Sequence, residues 1–244
     1  MSLSSAIEAC RVPDERLAEA YEGTSALHRS WIKTTLALVE SVHPALPSRS
    51  ERRTEDRDAG FGFVRTEETA PWAVLLIGEG YASAVRLAAA IMPARLAGVE
   101  PILAVWAGSG TPPPALFAAL ELTGVEQVFA MPDPLPLLRE LRGHGRVLAF
   151  GLDLPPLPYP CWRDAAPRIA ADALPDEELI RWAHPDALSA DGGADVLYPE
   201  QFILGDDREP LRLGEGLEGC WLHAELTPGF FMNTRLELFA LDAD

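Results

Sequence analysis

The sequence predicts an α/β fold: a Rossmann-like three-layer parallel sheet, with N-terminal helices and a smaller C-terminal part that contains β-strands. Between residues 70 and 150, short apolar runs alternate with helical stretches. These helical stretches end close to a glycine, which is the residue that most easily leaves a helix in the left-handed conformation. Strands that alternate with helices imply a parallel sheet with helical crossovers.

The N-terminal segment is predicted to be helical. Residues 14–22 and 25–43 carry apolar side chains at roughly helical spacing. Ser25 can cap the second helix, because its hydroxyl accepts a hydrogen bond from a free N–H of the first turn. Pro44 ends that helix. Residues 48–60 are charged and almost free of apolar side chains, so we predict an exposed loop or a mobile connector there.

The central segment supplies the predicted parallel sheet. Its apolar runs predict four strands, at residues 72–77, 101–106, 126–131 and 146–150. Helices are predicted at residues 82–97, at 113–123 and from Asp133-Pro134 to Gly143. We expect Pro93 to kink or restart the first of these helices.

The pattern changes after residue 150. The proline-rich stretch 151–162 is predicted to be irregular. Further elements are predicted to be strands at residues 168–172 and 195–198, a helix at 176–183, and an antiparallel pair at 220–226 and 235–241. The expected organisation is a helical segment (1–47), an α/β domain (70–150) and a remainder (151–244) packed on the same core.

Composition excludes several classes of partner. The chain of 244 residues has a formal charge of −17, which argues against nucleic acid and anionic lipid surfaces. It has no long uncharged apolar run and no signal-peptide pattern at its start, and its three cysteines lie far apart, so we expect a cytoplasmic protein. Lys33 is the only lysine and follows no glycine loop, which disfavours P-loop and Schiff-base chemistry.

The turn Gly78-Glu79-Gly80 follows the first predicted strand of the sheet and is the candidate nucleotide-binding loop. A Rossmann fingerprint requires a third glycine, where Ser83 stands, and an acidic residue after the second strand, which is missing. Glu79 also places a negative charge where phosphates would lie. The cofactor-binding candidates are therefore Gly78, Glu79, Gly80 and Ser83, and NAD is expected to bind weakly or not at all.

Two segments carry a family resemblance. In "IMPARLAGVEPILAV" and "PPPALFAALELTGVEQVFAM", the residues that match are Pro93, Ala94, Ala97, Gly98 and Val99, then Gly124 and Val125. With the helices that precede them, they resemble the histidinol dehydrogenase family over about residues 12–131. The resemblance implies a Rossmann-like domain, related to aldehyde dehydrogenases, that holds NAD without the ordinary fingerprint.

The chain departs from that family at its functional positions. Leu76 replaces the tyrosine that contacts the cofactor, and Glu79 replaces a glycine. The family's Glu-His pair and its zinc-binding Gln-x-x-His have no counterpart in the sequence. We therefore expect histidinol oxidation to be lost and no metal to be bound.

Asp153 and Cys161 are the remaining catalytic candidates. Asp153 follows the last strand of the sheet, at the carboxyl edge where α/β proteins bind ligands. Cys161 is a nucleophile candidate, with a packed hydrophobic role as the stronger alternative. His223 and Glu225 are predicted to share one face of a strand, where an exposed polar pair is favoured over metal ligands.

Three functions stay open at this point. The first is a histidinol-dehydrogenase-like protein without that catalysis, which binds a nucleotide or small metabolite at the carboxyl edge. The second is an active NAD-dependent oxidoreductase with a rebuilt site. The third is a non-catalytic interaction protein. Four C-terminal aromatic residues need a covered surface, part of which the chain's own α/β domain could supply: Trp221, Phe230, Phe231 and Phe239. Because helices should already cover both faces of the parallel sheet, we expect a homodimer.

Overall fold

A computed structural model describes residues 3–164, 170–171, 176–185 and 212–241. The helices are α1 (Ser5–Glu8), α2 (Asp14–Gly23), α3 (Ala26–Val42), α4 (Ala84–Leu96), α5 (Pro114–Leu122), α6 (Leu135–Glu140) and α7 (Glu177–Ala183), with a short 3₁₀ helix at Pro228–Phe231. The strands are β1 (Arg49–Asp56), β2 (Phe61–Thr69), β3 (Ala73–Ile77), β4 (Ile102–Trp106), β5 (Gln127–Ala130), β6 (Arg146–Phe150), β7 (Cys161–Arg163), β8 (Ala170–Ala171), β9 (Arg212–Leu213) and β10 (Met232–Ala240).

The centre of the molecule is a five-stranded parallel sheet in the order β5-β4-β3-β6-β7. Every residue of β3, β4 and β6 is buried, as their unbroken apolar sequences predict. The predicted Rossmann-like α/β fold is confirmed. Within the described residues, no helix is long and apolar enough to cross a bilayer.

Successive residues of β3 point into two different cores, one on each side of the sheet. Leu75 and Ile77 face a large cluster that includes residues of α2 to α5, whereas Val74 and Leu76 face a smaller cluster with residues of α1 and α6. This is the three-layer arrangement expected of a buried parallel sheet.

Two predictions about single helical positions have clear outcomes. Ser25 caps α3, because its hydroxyl accepts a hydrogen bond from the backbone N–H of His28 at 3.1 Å. Helix α4 runs without interruption from Ala84 to Leu96 with Pro93 inside it, so the predicted restart is wrong.

The charged stretch 48–60 is not the loop that its composition predicts. Strand β1 pairs antiparallel with β2 over eight residues, and Arg49 forms an ion pair with Glu68 at 3.1 Å across the two strands. Both side chains are more than half exposed. A strand that is solvated on much of its surface needs few apolar residues, which is why composition alone predicted it wrongly.

The proline-rich stretch 151–162 is irregular up to Pro160, and its last two residues belong to β7, the outer strand of the sheet. Leu152, Leu154, Leu157 and Tyr159 pack against the smaller core. This irregular segment therefore covers part of one sheet face. Of the predicted strand 168–172, residues 170–171 form β8; the predicted strand 195–198 lies outside the described residues.

The predicted C-terminal antiparallel pair is wrong. Residues 220–226 contain no strand, and β10 pairs with β2 to give a three-stranded sheet in the order β1-β2-β10. Trp221, Leu226 and Phe231 instead insert into the large core. The alternation of apolar residues in 220–226 reflects this burial of an irregular segment.

Candidate functional site

The carboxyl edge of the parallel sheet is the candidate site, because ligands of open α/β sheets bind there at the point where strand order reverses. The chain moves from β3 to β4 and β5 on one side, and then returns to β6 and β7 on the other. The reversal therefore lies between the ends of β3 and β6. The predicted turn Gly78-Glu79-Gly80 follows β3, so the sequence placed it at the correct edge.

The crevice between β3 and β6 is closed by the chain itself. The backbone N–H of Gly78 donates to the carbonyl of Phe150 at 2.8 Å, and a Cβ on Gly78 would collide with the carbonyl of Gly151. The Tyr81 ring lies against Phe150, with centroids 5.2 Å apart, and its Cβ is near Gly151. Gly78 is thus required by a neighbouring backbone, whereas a Cβ on Gly80, whose φ is +92°, would meet open space.

Glu79 bridges two loops of the same edge. Its carboxylate accepts hydrogen bonds from the Ser109 hydroxyl at 3.0 Å and from the Ser109 backbone N–H at 3.3 Å. Ser109 belongs to the loop between β4 and α5. The donors that could bind an anion at this point therefore already bind a carboxylate of the chain.

Ser83 stands where a Rossmann fingerprint has its third glycine, and it has a structural role. It is the N-cap of α4, and its hydroxyl accepts from the backbone N–H of Arg86 at 3.4 Å. The same hydroxyl donates to the carbonyl of Ala183 at the end of α7. The hydroxyl of this buried serine thus joins α4 to α7, because it accepts a hydrogen bond from α4 and donates one to α7.

A buried polar cluster lies behind the glycine turn, which we call the Asp164 network: Tyr81, Arg86, Asp164, Trp221 and His223. The Asp164 carboxylate accepts from the Arg86 guanidinium at 2.6 Å and from the Tyr81 hydroxyl at 2.8 Å. The Arg86 and Asp164 side chains are both 2% exposed. Burial without these partners would cost several kcal/mol for each charge.

The hydrogen bonds of His223 determine its tautomer. The Trp221 indole N–H donates to Nδ1 at 3.1 Å, and because an indole can only donate, Nδ1 is unprotonated. Nε2–H then donates to the carbonyl of Arg86 at 2.9 Å. Burial lowers the pKa of His223 to about 4, so the ring is neutral near pH 7. With both nitrogens engaged inside the protein, His223 is placed to hold Arg86 in position.

The predicted pairing of His223 with Glu225 on a strand face is wrong. The segment is irregular, His223 is buried, and Glu225 is exposed. Within the described part of the chain, no three His, Cys, Asp or Glu side chains are grouped closely enough to hold a metal ion.

The structure places Asp153 and Cys161 outside the Asp164 network. Asp153 is exposed, in a segment whose carbonyls at Leu152 and Leu154 accept from Arg163 at 3.3 and 3.1 Å. Cys161 is half-buried at the start of β7 and packs against the smaller core, and burial raises the pKa of its thiol. A raised pKa favours the unreactive thiol over the thiolate.

Sequence reasoning missed Asp164, Arg86 and Tyr81. A usable signal was present at Arg86, which is the only charged residue in the apolar helical stretch 84–94. A lone charge on an apolar helix face needs a buried counter-ion. The identity of that counter-ion could not be deduced, because Asp164 lies 78 positions away and is brought to Arg86 only by the packing of β7 beside β6.

A cleft of about 720 Å³ lies at the opposite, amino end of the sheet. It is lined by Pro71, Trp72, Glu100, Pro101, Arg139, Glu140 and Arg142. Glu140 in its wall already accepts from the Ser4 hydroxyl at 2.5 Å and from the Ser4 N–H at 2.7 Å. This cleft is separate from the predicted site residues.

Comparison with known proteins gives distant structural similarities and no match in sequence. Neither a protein-family model nor a curated protein matches the chain. Among solved structures, histidinol dehydrogenase from Elizabethkingia anophelis is similar over 70% of this chain, with a TM-score of 0.48 and 18% sequence identity. The matched region covers 44% of that enzyme's chain. This is a remote resemblance to part of a longer protein.

Proposed function

We propose that this protein is a non-catalytic scaffold with a Rossmann-like domain, histidinol-dehydrogenase-like in its sequence motifs and without histidinol dehydrogenase catalysis. The observation that carries the proposal is the closed crevice between β3 and β6. Gly78 packs on Gly151, and the Tyr81 ring covers the end of β6. A dinucleotide would have to displace both groups to reach the position that it occupies in an open α/β sheet.

Electrostatics support the same proposal. Glu79 places a carboxylate on the Ser109 backbone N–H and hydroxyl, where a diphosphate would need donors. The whole chain carries a formal charge of −17, which adds a long-range repulsion for anionic cofactors. The neutral, fully engaged His223 and the ion-paired Asp164 favour roles in stability over proton transfer.

Calorimetric titration with NAD tests the proposal. We expect no measurable heat of binding with the full chain, and no reduction of NAD when histidinol is supplied. Micromolar affinity for NAD would contradict the proposal, and the active oxidoreductase would then become the better explanation.

A small metabolite at the carboxyl edge is the second candidate, favoured by the exposed Glu79–Ser109 pair. A screen of melting temperature against nucleotides and metabolites addresses it, because a ligand that binds the native state raises stability by mass action. A shift that disappears in Ser109→Ala would place the ligand at this edge and replace the scaffold proposal.

A further inference from the structure

One face of the three-stranded sheet β1-β2-β10 carries exposed apolar side chains. Residues that are opposite each other in the antiparallel register share a face, so Leu238 lies beside Phe63 and Leu236 beside Arg65. Leu238 is 71% exposed, Leu236 is 56% exposed and Phe61, on the same face, is 44% exposed. The other face carries mainly charged residues together with Val64 and Phe239, and Phe239 lies over Gly62 and stacks under Arg53 at 4.3 Å.

The two edges of this sheet differ in chemistry. Strand β1 forms one edge with the sequence RSERRTED, whose charged side chains are the usual protection of an edge strand against pairing. Strand β10 forms the other edge with the sequence MNTRLELFA. Within the described residues, β2 is the only strand hydrogen-bonded to β10. A nine-residue edge strand that carries exposed leucines is suited to pairing with another strand.

We propose that a second copy of this chain pairs with β10 in antiparallel orientation, about a two-fold axis at Leu236. The result is one continuous six-stranded sheet across the two protomers. An isologous contact of this kind requires a self-complementary strand. The sequence Arg235-Leu236-Glu237 is self-complementary, because Arg235 then lies opposite Glu237 of the second copy on both sides of the axis.

Neighbouring registers are disfavoured by charge. A two-fold axis perpendicular to the sheet keeps the side chains of each face on the same side of the combined sheet. Alternative registers therefore differ in which residue of β10 lies on the axis, and neighbouring registers place the axis one residue apart. An axis at Arg235 or at Glu237 would place two like charges directly opposite each other, which is destabilising in a strand pair. Among these three central positions, Leu236 alone brings opposite charges together.

The same register gathers the exposed leucines. Leu236 meets Leu236 of the second copy on the axis, and Leu238 lies diagonal to it, within reach of long side chains in an antiparallel pair. Four leucine side chains thus form one cluster, flanked on each side by Phe63. This contact would cover apolar surface that is otherwise exposed in the single chain.

Charge reversal on β10 tests the register. Arg235 and Glu237 are 78% and 53% exposed, so their substitution leaves the core intact. Light scattering of the full chain should give about twice the monomer mass of 26.5 kDa at micromolar concentration. Arg235→Glu alone and Glu237→Arg alone should each raise the dissociation constant about tenfold or more, because two attractive pairs become two repulsive pairs.

An equimolar mixture of the two single variants should regain the dimer, because one β10 strand then carries two glutamates and the strand opposite carries two arginines. The double variant Arg235→Glu/Glu237→Arg should regain it as well. Failure of both to recover would overturn the register, and a monomeric full-length protein would overturn the proposal.

Strand β1 provides the matched control. Arg49 and Glu51 have the same spacing and form an ion pair at 3.6 Å, but Ser50 stands between them in place of a leucine. Arg49→Glu and Glu51→Arg should leave the mass unchanged. If the β1 variants lowered the light-scattering mass and the β10 variants did not, the contact would lie at β1 and our proposal would be wrong.

This inference rests on the proposed scaffold role and names its partner, and the two can fail separately. NAD binding would contradict the scaffold role without changing the light-scattering mass. A monomer would contradict the pairing of β10 while the crevice between β3 and β6 remained closed.

Discussion

Single residues of the Asp164 network show how a carboxyl edge can be stabilised without a ligand. Asp164 neutralises Arg86 and accepts from Tyr81, while His223 bonds to the Arg86 backbone. These side chains come from the turn after β3, from α4, from the end of β7 and from the C-terminal segment. The network thus fixes four separate parts of the chain at one point.

His223 should make the free energy of unfolding depend on pH. Its pKa falls from 6.5 to about 4 on folding because burial disfavours the charged ring. Between these values the unfolded chain binds the proton and the native chain does not, so stability is complete above about pH 6.5 and decreases as pH falls toward 4. Urea unfolding should show about 2 kcal/mol less stability from this residue at pH 5 than at pH 7.5.

His223→Gln keeps a donor and an acceptor but does not titrate, so it serves as the control. The difference between the two pH values should shrink in this variant. His28, whose pKa is lowered mainly by burial, contributes in the same direction and remains. An unchanged difference in His223→Gln would show that His223 is not the titrating group.

Asp164→Asn should destabilise the protein strongly. The amide keeps the shape of the side chain but removes the negative charge that is paired with the buried Arg86 guanidinium, and breaking a buried ion pair typically costs about 3–5 kcal/mol. Denaturant titration measures it. Asp153→Asn, at the exposed candidate, is the matched control and should change stability by less than about 0.5 kcal/mol. Equal effects of the two substitutions would contradict the assignment.

The irregular segment before β10 is the element whose structure was predicted least well from the sequence. Trp221 and Phe231 are 7% and 0% exposed and belong to the large core, whereas our expectation placed them on a dimer contact. Removing residues 218–244 would therefore delete core side chains as well as β10. Substitutions on the exposed part of β10 separate association from folding, and truncation does not.

Phe231→Ala should behave as a core substitution. The ring is fully buried at the end of the 3₁₀ helix, and removal of a buried phenylalanine typically costs about 3–5 kcal/mol. Leu27→Ala on α3, where the side chain is 53% exposed, is the control and should cost far less. Chemical unfolding monitored by circular dichroism distinguishes them. A Phe231→Ala protein as stable as Leu27→Ala would show that this segment does not dock as described.

At the scale of the whole molecule, the parallel sheet and the antiparallel sheet differ in how much of their surface the chain covers. The parallel sheet is covered on both faces by the chain itself. Of the five exposed large apolar side chains among the described residues, the sheet β1-β2-β10 carries three, namely Phe61, Leu236 and Leu238. Association with a second copy would therefore involve the antiparallel sheet, with the closed carboxyl edge left outside the contact.

The sequence by itself determined the parallel α/β core, because a strand buried on both faces must be continuously apolar, as β3, β4 and β6 are. It also placed the glycine turn at the carboxyl edge and showed that Glu79 is unfavourable for phosphates. Only the tertiary structure decided that Gly78 is needed because the backbone of Gly151 leaves no room for a side chain there, since that contact joins residues 73 positions apart. The same holds for the pairing of β10 with β2 and for the Asp164 network. Local periodicity reports which face of an element is buried, but it carries no information about which distant segment covers that face.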